Sequence, residues 1–264
     1  MRNTQTFLSF ILATSFCLSA LADDSTNQTA SAWIQPQNPE PMKILAEARA
    51  DIAAGKYTNA LEKFVWFQQD TAKAAPLAFA LSDWTNLGAV YPPALEKLKA
   101  IRDESEQKLR DKKGSFDAFD DFQAINTILG EENKTKDFFI WLDSNRPVLA
   151  KYVFDVVEPV LIDAKEFSLC GKYINGETSF AEYLKWYRRN MQLAKEPRFG
   201  KSLQEFAEKT FINKTSTLIA LLVVNDRNTE AQQVVDKISK ESDVPKFKAE
   251  IQKALTGEIP ARWP

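Results

Sequence analysis

Apolar residues recur with the spacing of amphipathic helices from Pro41 almost to the end of the chain. Ile44, Ala48 and Ile52, for example, are four residues apart and fall on one helical face. No stretch alternates between apolar and polar residues for long, as a half-buried strand would. The pattern predicts an all-α protein.

Glycines and capping residues divide this pattern into antiparallel helix pairs. We expect turns at Gly55, Gly88, Gly130 and near Lys165. Gly114 is the predicted C-cap of a long helix and Ser115 the N-cap of the next. The later helices are predicted over residues 178–193, 206–224, 229–238 and 244–255. The apolar run at residues 218–224 is too short to span a membrane, and predicts a fully buried helix segment.

One octet of the first pair recurs in the second. Tyr57-Thr58-Asn59-Ala60-Leu61-Glu62-Lys63-Phe64 is matched by Tyr91-Pro92-Pro93-Ala94-Leu95-Glu96-Lys97-Leu98, and the offset is 34 residues. That offset is the length of one helix–turn–helix unit of a helical repeat array. The period therefore predicts units that stack.

These octets resemble the tetratricopeptide repeat family over roughly residues 42–101. The residues at family positions are Ile44, Ala48, Gly55, Tyr57, Ala60 and Phe64 in the first unit, and Tyr91, Ala94 and Leu98 in the second. Glu47, Asp51 and Ser82 depart from the family pattern. The resemblance implies a right-handed α-solenoid whose concave face binds a protein or peptide. A helical bundle with coincidental similarity is the alternative.

The first 22 residues read as a signal peptide. Arg2 precedes a mostly apolar stretch, residues 7–21, and Ala20-Leu21-Ala22 forms a small-x-small cleavage site before Asp23. We expect export to the periplasm or the cell exterior. A buried N-terminal helix or a short membrane anchor is the alternative, and Cys17 raises a lipoprotein reading that Thr14-Ser15-Phe16 does not support.

The remaining chain divides into three parts. Residues 23–41 are predicted to be an extended, proline-rich leader, in which Trp33 and Ile34 either dock onto the body or stay exposed. Residues 42–256 form the predicted repeat domain, and residues 257–264 an irregular C-terminal tail.

Composition excludes several kinds of chemistry. The 34 basic and 36 acidic residues give a net charge of −2, which argues against a nucleic-acid partner. With no histidine, the chain lacks the commonest general base and zinc ligand. Cys170, the single cysteine after residue 22, is predicted to be buried in a helix contact. Phosphate-binding glycine motifs are also missing, so neither a cofactor nor a metal is expected.

Carboxylates and aromatics support a second reading. Asp117, Asp120 and Asp121 cluster at a helix start, and Glu131 and Glu132 lie at a turn. Paired carboxylates can hydrolyse glycosides, although acids in a first turn also simply favour the helix dipole. The tryptophans that could stack on sugars or fill the core are Trp66, Trp84, Trp141 and Trp186. The segment at residues 183–189 mixes aromatics with cations and is either a surface patch or a solvated helix face.

The leading hypothesis is an exported, non-enzymatic scaffold that binds a protein or peptide. By analogy with the repeat family, the predicted groove residues lie on the first helix of each pair: Arg49, Asp83, Asn86, Gln123, Asn126 and Lys151. The alternatives are a carbohydrate-active protein and a structural subunit of an envelope complex.

Overall fold

The computed structural model describes residues 33–71, 77–114 and 116–263, and every regular element there is an α-helix. This confirms the all-α prediction. The helices are α1 (Pro41–Ala53), α2 (Tyr57–Thr71), α3 (Ala78–Val90), α4 (Pro92–Arg110), α5 (Phe116–Ile128), α6 (Glu132–Asn145), α7 (Pro147–Asp163), α8 (Phe167–Tyr173), α9 (Gly176–Leu193), α10 (Gly200–Val224), α11 (Asn228–Lys240) and α12 (Lys248–Leu255). The predicted signal peptide at residues 1–22 and the predicted cap Ser115 lie outside the described residues.

Prolines and left-handed residues set many of the boundaries. Pro41, Pro92 and Pro147 open α1, α4 and α7, where a missing backbone N–H costs nothing. Gly55 and Gly130 have positive φ angles of 71° and 67° at the predicted turns.

Two predicted boundaries are wrong. Gly88 lies inside α3, which continues to Val90, and Tyr91 alone separates it from α4. A Cβ at Gly88 would lie 3.0 Å from the Leu95 Cβ, so this glycine permits a close helix approach. At the end of α4 the left-handed residue is Lys112, with φ 61°, and Gly114 is not the cap.

Consecutive helices pack against each other from α1 to α8, and the odd-numbered helices also contact one another in the order α1, α3, α5, α7. Beyond them, α10 packs against α8, α9, α11 and α12. Buried residues form two clusters: one spans α1–α4 with Ile125 of α5, and the other extends from Leu109 of α4 to α12. Helix α5 contributes to both clusters and joins them.

The long helix α10 is the centre of the C-terminal half. Residues 218–222 are buried on all sides, as predicted, whereas Val224 at the end of the helix is exposed. In the part of the chain that the structure covers, no helix combines the length and apolarity needed to cross a membrane.

The two octets lie side by side. Their first residues, Tyr57 and Tyr91, place their rings 5.9 Å apart, and Ala60 and Ala94 are fully buried. Trp84 donates from Nε1 to the Ala94 carbonyl at 2.8 Å. Each alanine therefore occupies a helix contact with no room for a larger side chain.

One end of the predicted leader docks onto the body. The backbone N–H of Trp33 donates to Glu62 Oε2 at 2.9 Å, and the Trp33 indole ring meets that of Trp66 edge-on, with the ring centroids 6.1 Å apart. Ile34, by contrast, is exposed.

Replacing either buried alanine by tryptophan should overpack these contacts. We expect Ala60→Trp and Ala94→Trp each to lower the free energy of unfolding by about 1–3 kcal/mol or more, measured by urea denaturation. Ala100→Trp is the matched control, because Ala100 is exposed on α4. Equal midpoints for the three variants and the wild type would show that the octets do not pack as described.

Candidate functional site

A wide cleft runs along the first half of α7, and we call it the α7 cleft. Its volume is about 1020 Å³. The lining residues come from the α4–α5 turn, the α6–α7 junction, α7, the end of α8 and the start of α9: Lys112, Gly114, Asn145, Arg146, Pro147, Val148, Leu149, Lys151, Tyr152, Phe154, Asp155, Tyr173, Thr178, Ser179 and Glu182. Segments distant in sequence therefore meet around one helix.

Polar contacts hold the base of the α7 cleft in place. Arg146 donates from Nη1 to the Leu109 carbonyl at 2.7 Å and ties the α6–α7 junction to α4. Asp143 accepts hydrogen bonds from Lys172, at 2.5 Å, and from the Tyr173 hydroxyl. The Tyr173 ring stacks on Phe154 at 5.2 Å. These contacts fix one edge of the base.

The charge states at this edge are also fixed. Burial alone would raise the pKa of Asp143, but the hydrogen bonds from Lys172 and Tyr173 outweigh it, and the pKa is lowered. Burial, with the hydrogen bond to Asp143, raises the pKa of Tyr173 well above its ordinary value. At neutral pH the carboxylate is ionised and the phenol neutral, an arrangement that suits support rather than proton transfer.

Two apolar side chains on α7 are open to solvent. Val148 is 85% exposed and Tyr152 is 69% exposed. They are four residues apart, so they share one face of the helix. The Tyr152 ring packs edge-on against the Phe116 ring, with the centroids 5.2 Å apart, and this contact fixes its position. The α7 cleft therefore presents an ordered apolar surface.

Charges of both signs surround this surface. Lys112 and Lys151 supply positive charge, while Asp155 and Glu182 supply negative charge. Within the described part of the chain, none of the four forms an ion pair. Their charges are therefore available to a ligand.

The start of α9 adds hydroxyl groups to the α7 cleft. Asn175 caps the helix, since its Oδ1 accepts from the Thr178 N–H at 2.9 Å and from the Thr178 hydroxyl at 3.1 Å. Ser179 Oγ accepts from the Asn175 N–H at 3.4 Å. Thr178 and Ser179 are thus oriented by the cap itself.

Only Lys151 of the six predicted groove residues lines the α7 cleft. Arg49 and Asp83 form an ion pair at 2.7 Å between α1 and α3, 34 residues apart, so their charges satisfy each other. Asn86 is exposed on α3, one turn after Asp83. These three residues lie together, away from the α7 cleft.

The two predicted residues on α5 have local partners. Gln123 donates from Nε2 to Asp120 Oδ1 at 3.2 Å. Asn126 was expected to face a groove, but it is fully buried and donates from Nδ2 to Thr135 Oγ1 of α6 at 3.1 Å. It bridges two helices in the interior and is not available to a surface partner.

The acidic residues are divided between different environments. Glu131 accepts from Lys134 at 2.8 Å and from Arg102, and the hydrogen bond from Lys134, together with the charge of Arg102, lowers its pKa against an opposing effect of burial. Burial raises the pKa of Asp121, although Gln68 donates to it at 3.3 Å. The charges of Asp120 and Asp117 also raise the pKa of Asp121, whereas Glu131 is paired with cations.

Three of the four tryptophans serve packing. Trp84 and Trp66 are buried in the first cluster. Trp141 stacks on Phe138 at 5.5 Å, and the Arg110 guanidinium lies 4.6 Å from the Trp141 ring. Trp186 alone is exposed.

Cys170 is buried and unpaired, as expected for a helix contact. Burial, with the nearby charge of Glu158, raises the pKa of its thiol to about 12. The described residues contain no cluster of three or more acidic or cysteine side chains that could hold a metal.

A second cavity, which no pattern in the sequence indicated, lies between α7, α10 and the C-terminal tail, and we call it the tail cavity. It measures about 70 Å³, and its lining includes Glu158, Lys214, Thr217 and Trp263. Trp263 donates from Nε1 to Thr210 Oγ1 at 3.2 Å, while Asn213 donates to the Ala261 carbonyl at 2.8 Å. These two hydrogen bonds therefore hold the irregular C-terminal tail against α10, beside the tail cavity.

Glu158 is nearly buried beside the tail cavity. Burial raises its pKa to about 7, with a contribution from Asp155 and an opposing one from Lys214. The sequence does contain a feature that could have identified Glu158: it is an isolated acid within the apolar run from Val156 to Leu161.

Stability should fall as the pH rises through this titration. A carboxyl group whose pKa increases from 4.5 to about 7 on folding is protonated in the folded state while the unfolded chain has already ionised. The folded state is then progressively destabilised between about pH 4.5 and 7, by at most about 3 kcal/mol. We expect Glu158→Gln to raise the melting temperature at pH 8 and to change it little at pH 4.5.

Calorimetry at several pH values measures this difference. Glu182→Gln is the control, because Glu182 is an exposed carboxyl group on α9. The same pH dependence in wild type and Glu158→Gln would contradict the assignment to Glu158.

Similarity to known proteins assigns no role to either cavity. No protein-family model, no curated protein and no solved structure matches this chain. Their function has to be inferred from their own side chains.

Proposed function

We propose that this chain is an exported, non-enzymatic helical scaffold that binds a protein or peptide segment in the α7 cleft. The observation that carries the proposal is the exposed pair Val148 and Tyr152, set among charges that have no partner within the described residues. Exposed apolar groups rimmed by polar residues are typical of interaction sites.

The packing of the helices supports a scaffold of the tetratricopeptide type. Tyr57 and Tyr91 stand at equivalent positions 34 residues apart and touch, as stacked repeats require. The contacts among α1, α3, α5 and α7 place the first helices of successive pairs next to one another. In a superhelical stack these helices form the concave binding face, and α7 is one of them.

The side chains define the chemistry of the bound segment. Val148 and Tyr152 offer contact to an apolar or aromatic residue, with the Tyr152 hydroxyl as a polar end. Lys112 and Lys151 attract an acidic group, while Asp155 and Glu182 attract a basic one. An extended segment with an apolar residue between unlike charges fits this arrangement.

Two features of the sequence support export and a binding role. The signal-like residues 1–22 indicate passage across a membrane. The lack of histidine removes the usual general base. The hydrogen bond from Tyr173 to Asp143 keeps the carboxyl group ionised and the phenol neutral at neutral pH. Binding requires neither group to react.

Site-specific cross-linking tests the proposal. Full-length chain carrying photoreactive benzoylphenylalanine at Val148 is illuminated in its native cells, and cross-linked peptides are sequenced. The matched control places the same residue at Val90, which is 56% exposed on α3 outside the α7 cleft. We expect one defined partner segment from Val148 and none from Val90.

A synthetic copy of the captured segment then provides an affinity. Tyr152→Asp should weaken its binding by about tenfold or more, since loss of a buried aromatic anchor costs ~2 kcal/mol or more. The Val90→Asp control should bind like wild type. Identical cross-links from both positions, or a synthetic segment that binds both variants equally, would refute the α7 cleft as the site.

A further inference from the structure

A second surface lies at the junction of α9 and α10. Trp186, Phe199 and Phe206 are 38%, 38% and 40% exposed, and we call them with their flanking cations the α9–α10 patch. The rings of Trp186 and Phe206 meet edge-on with their centroids 6.2 Å apart, within the spacing usual for aromatic pairs. Phe199 is the N-cap residue of α10 and precedes Phe206, on the second turn of that helix, by seven residues.

The aromatics are firmly supported from below. Tyr187, next to Trp186, is buried and packs its ring 4.9 Å from that of Phe211. Phe211 in turn packs against Phe180 and Phe247. Trp186 and Phe206 are therefore held at the surface by a rigid core, and a partner would meet them already positioned.

Positive charge is concentrated in the same stretch. Residues 183–201 hold six lysines and arginines and one glutamate, a net charge of +5 in a chain whose total is −2. Some of this charge is offset, because Arg188 pairs with Glu241 at 2.5 Å and Asp243 at 2.8 Å. Arg198 and Lys201 also pair with neighbouring glutamates.

Three cations remain around the aromatics. Lys185, Arg189 and Lys195 form no ion pair within the described residues. Arg189 lies one helical turn after Trp186, and Lys195 lies in the connection that leads to Phe199. The guanidinium of Arg198 stands 4.5 Å from the Phe199 ring. Cations thus border the aromatic residues on α9 and in the connection that leads to α10.

We propose that the α9–α10 patch docks this protein onto the surface of an anionic lipid bilayer. Tryptophan and phenylalanine enter the boundary between headgroups and acyl chains, and nearby lysines and arginines are attracted to anionic headgroups. Neither the α7 cleft nor the tail cavity includes a residue of the α9–α10 patch. The patch offers side chains to a surface rather than a pocket to a ligand.

Docking in this way is compatible with a ligand in the α7 cleft. The cleft uses Thr178, Ser179 and Glu182 from the first half of α9, and the patch uses the second half of the same helix. The two surfaces are therefore distinct, and this inference does not depend on the proposed function.

Vesicle sedimentation tests the role of charge. Full-length wild type is mixed with phosphatidylcholine vesicles that do or do not contain about 30 mol% phosphatidylglycerol. The test variant is Arg189→Glu/Lys195→Glu. The matched control, Lys246→Glu/Lys248→Glu, makes the same change in net charge at two exposed lysines, one just before α12 and one at its first residue. All chains keep the same N-terminus, so any binding by the apolar residues 7–21 is common to them.

We expect wild type and control to prefer the anionic vesicles, and the test variant to bind them about tenfold or more weakly. Equal losses in the two variants would mean that only total charge matters, and would overturn the proposal. Wild type retained by immobilised polyglutamate but by neither kind of vesicle would overturn it in favour of an acidic protein partner.

Fluorescence quenching tests the insertion of Trp186. Vesicles of the anionic composition with brominated acyl chains quench tryptophans that enter the bilayer. Trp186→Phe keeps an aromatic ring against Phe206, so its fold is preserved. We expect brominated lipid to quench a smaller part of the emission in this variant than in wild type. Equal fractional quenching would place Trp186 outside the membrane and overturn the proposal.

Discussion

The buried clusters of the described residues each span several helix pairs, so each pair depends on its neighbours to cover its apolar face. Helix α7 shows the constraint most clearly: Val153, Val157 and Leu161 are buried against other helices, while Val148 and Tyr152 remain outside. Both cavities follow from this, since α7 borders each of them. The positions of the side chains that line the α7 cleft and the tail cavity are therefore set by what covers α7.

Helical periodicity was enough to predict the fold class and most helices, because amphipathic stripes and left-handed glycines act locally. Periodicity could not distinguish a glycine that turns the chain from a glycine that allows two helices to approach closely. Gly55 turns the chain with a positive φ, whereas Gly88 stays helical and admits Leu95 at close range. That second role depends on a contact with another helix, and a single sequence carries no direct record of it.

The candidate sites were less predictable, for the same reason. Lys151 was expected in a binding groove and is exposed, but which side of a helix faces solvent depends on the next helix along the chain. Thus Asn126 is enclosed by α6, and Arg49 is engaged by Asp83 of α3. Glu158 could have been found, because an acid within an apolar run is a local anomaly. The tail cavity beside it could not have been predicted, because the C-terminal tail forms part of its wall and no sequence pattern indicates the course of that tail.

The burial of Cys170 makes this thiol a natural reporter of motion. A thiol with a pKa of about 12 is almost entirely protonated at neutral pH, and the protonated form reacts poorly with alkylating reagents. Modification therefore has to wait until α8 separates from its neighbours and admits both water and reagent. The alkylation rate of Cys170 therefore measures how often the helix contacts next to the α7 cleft open.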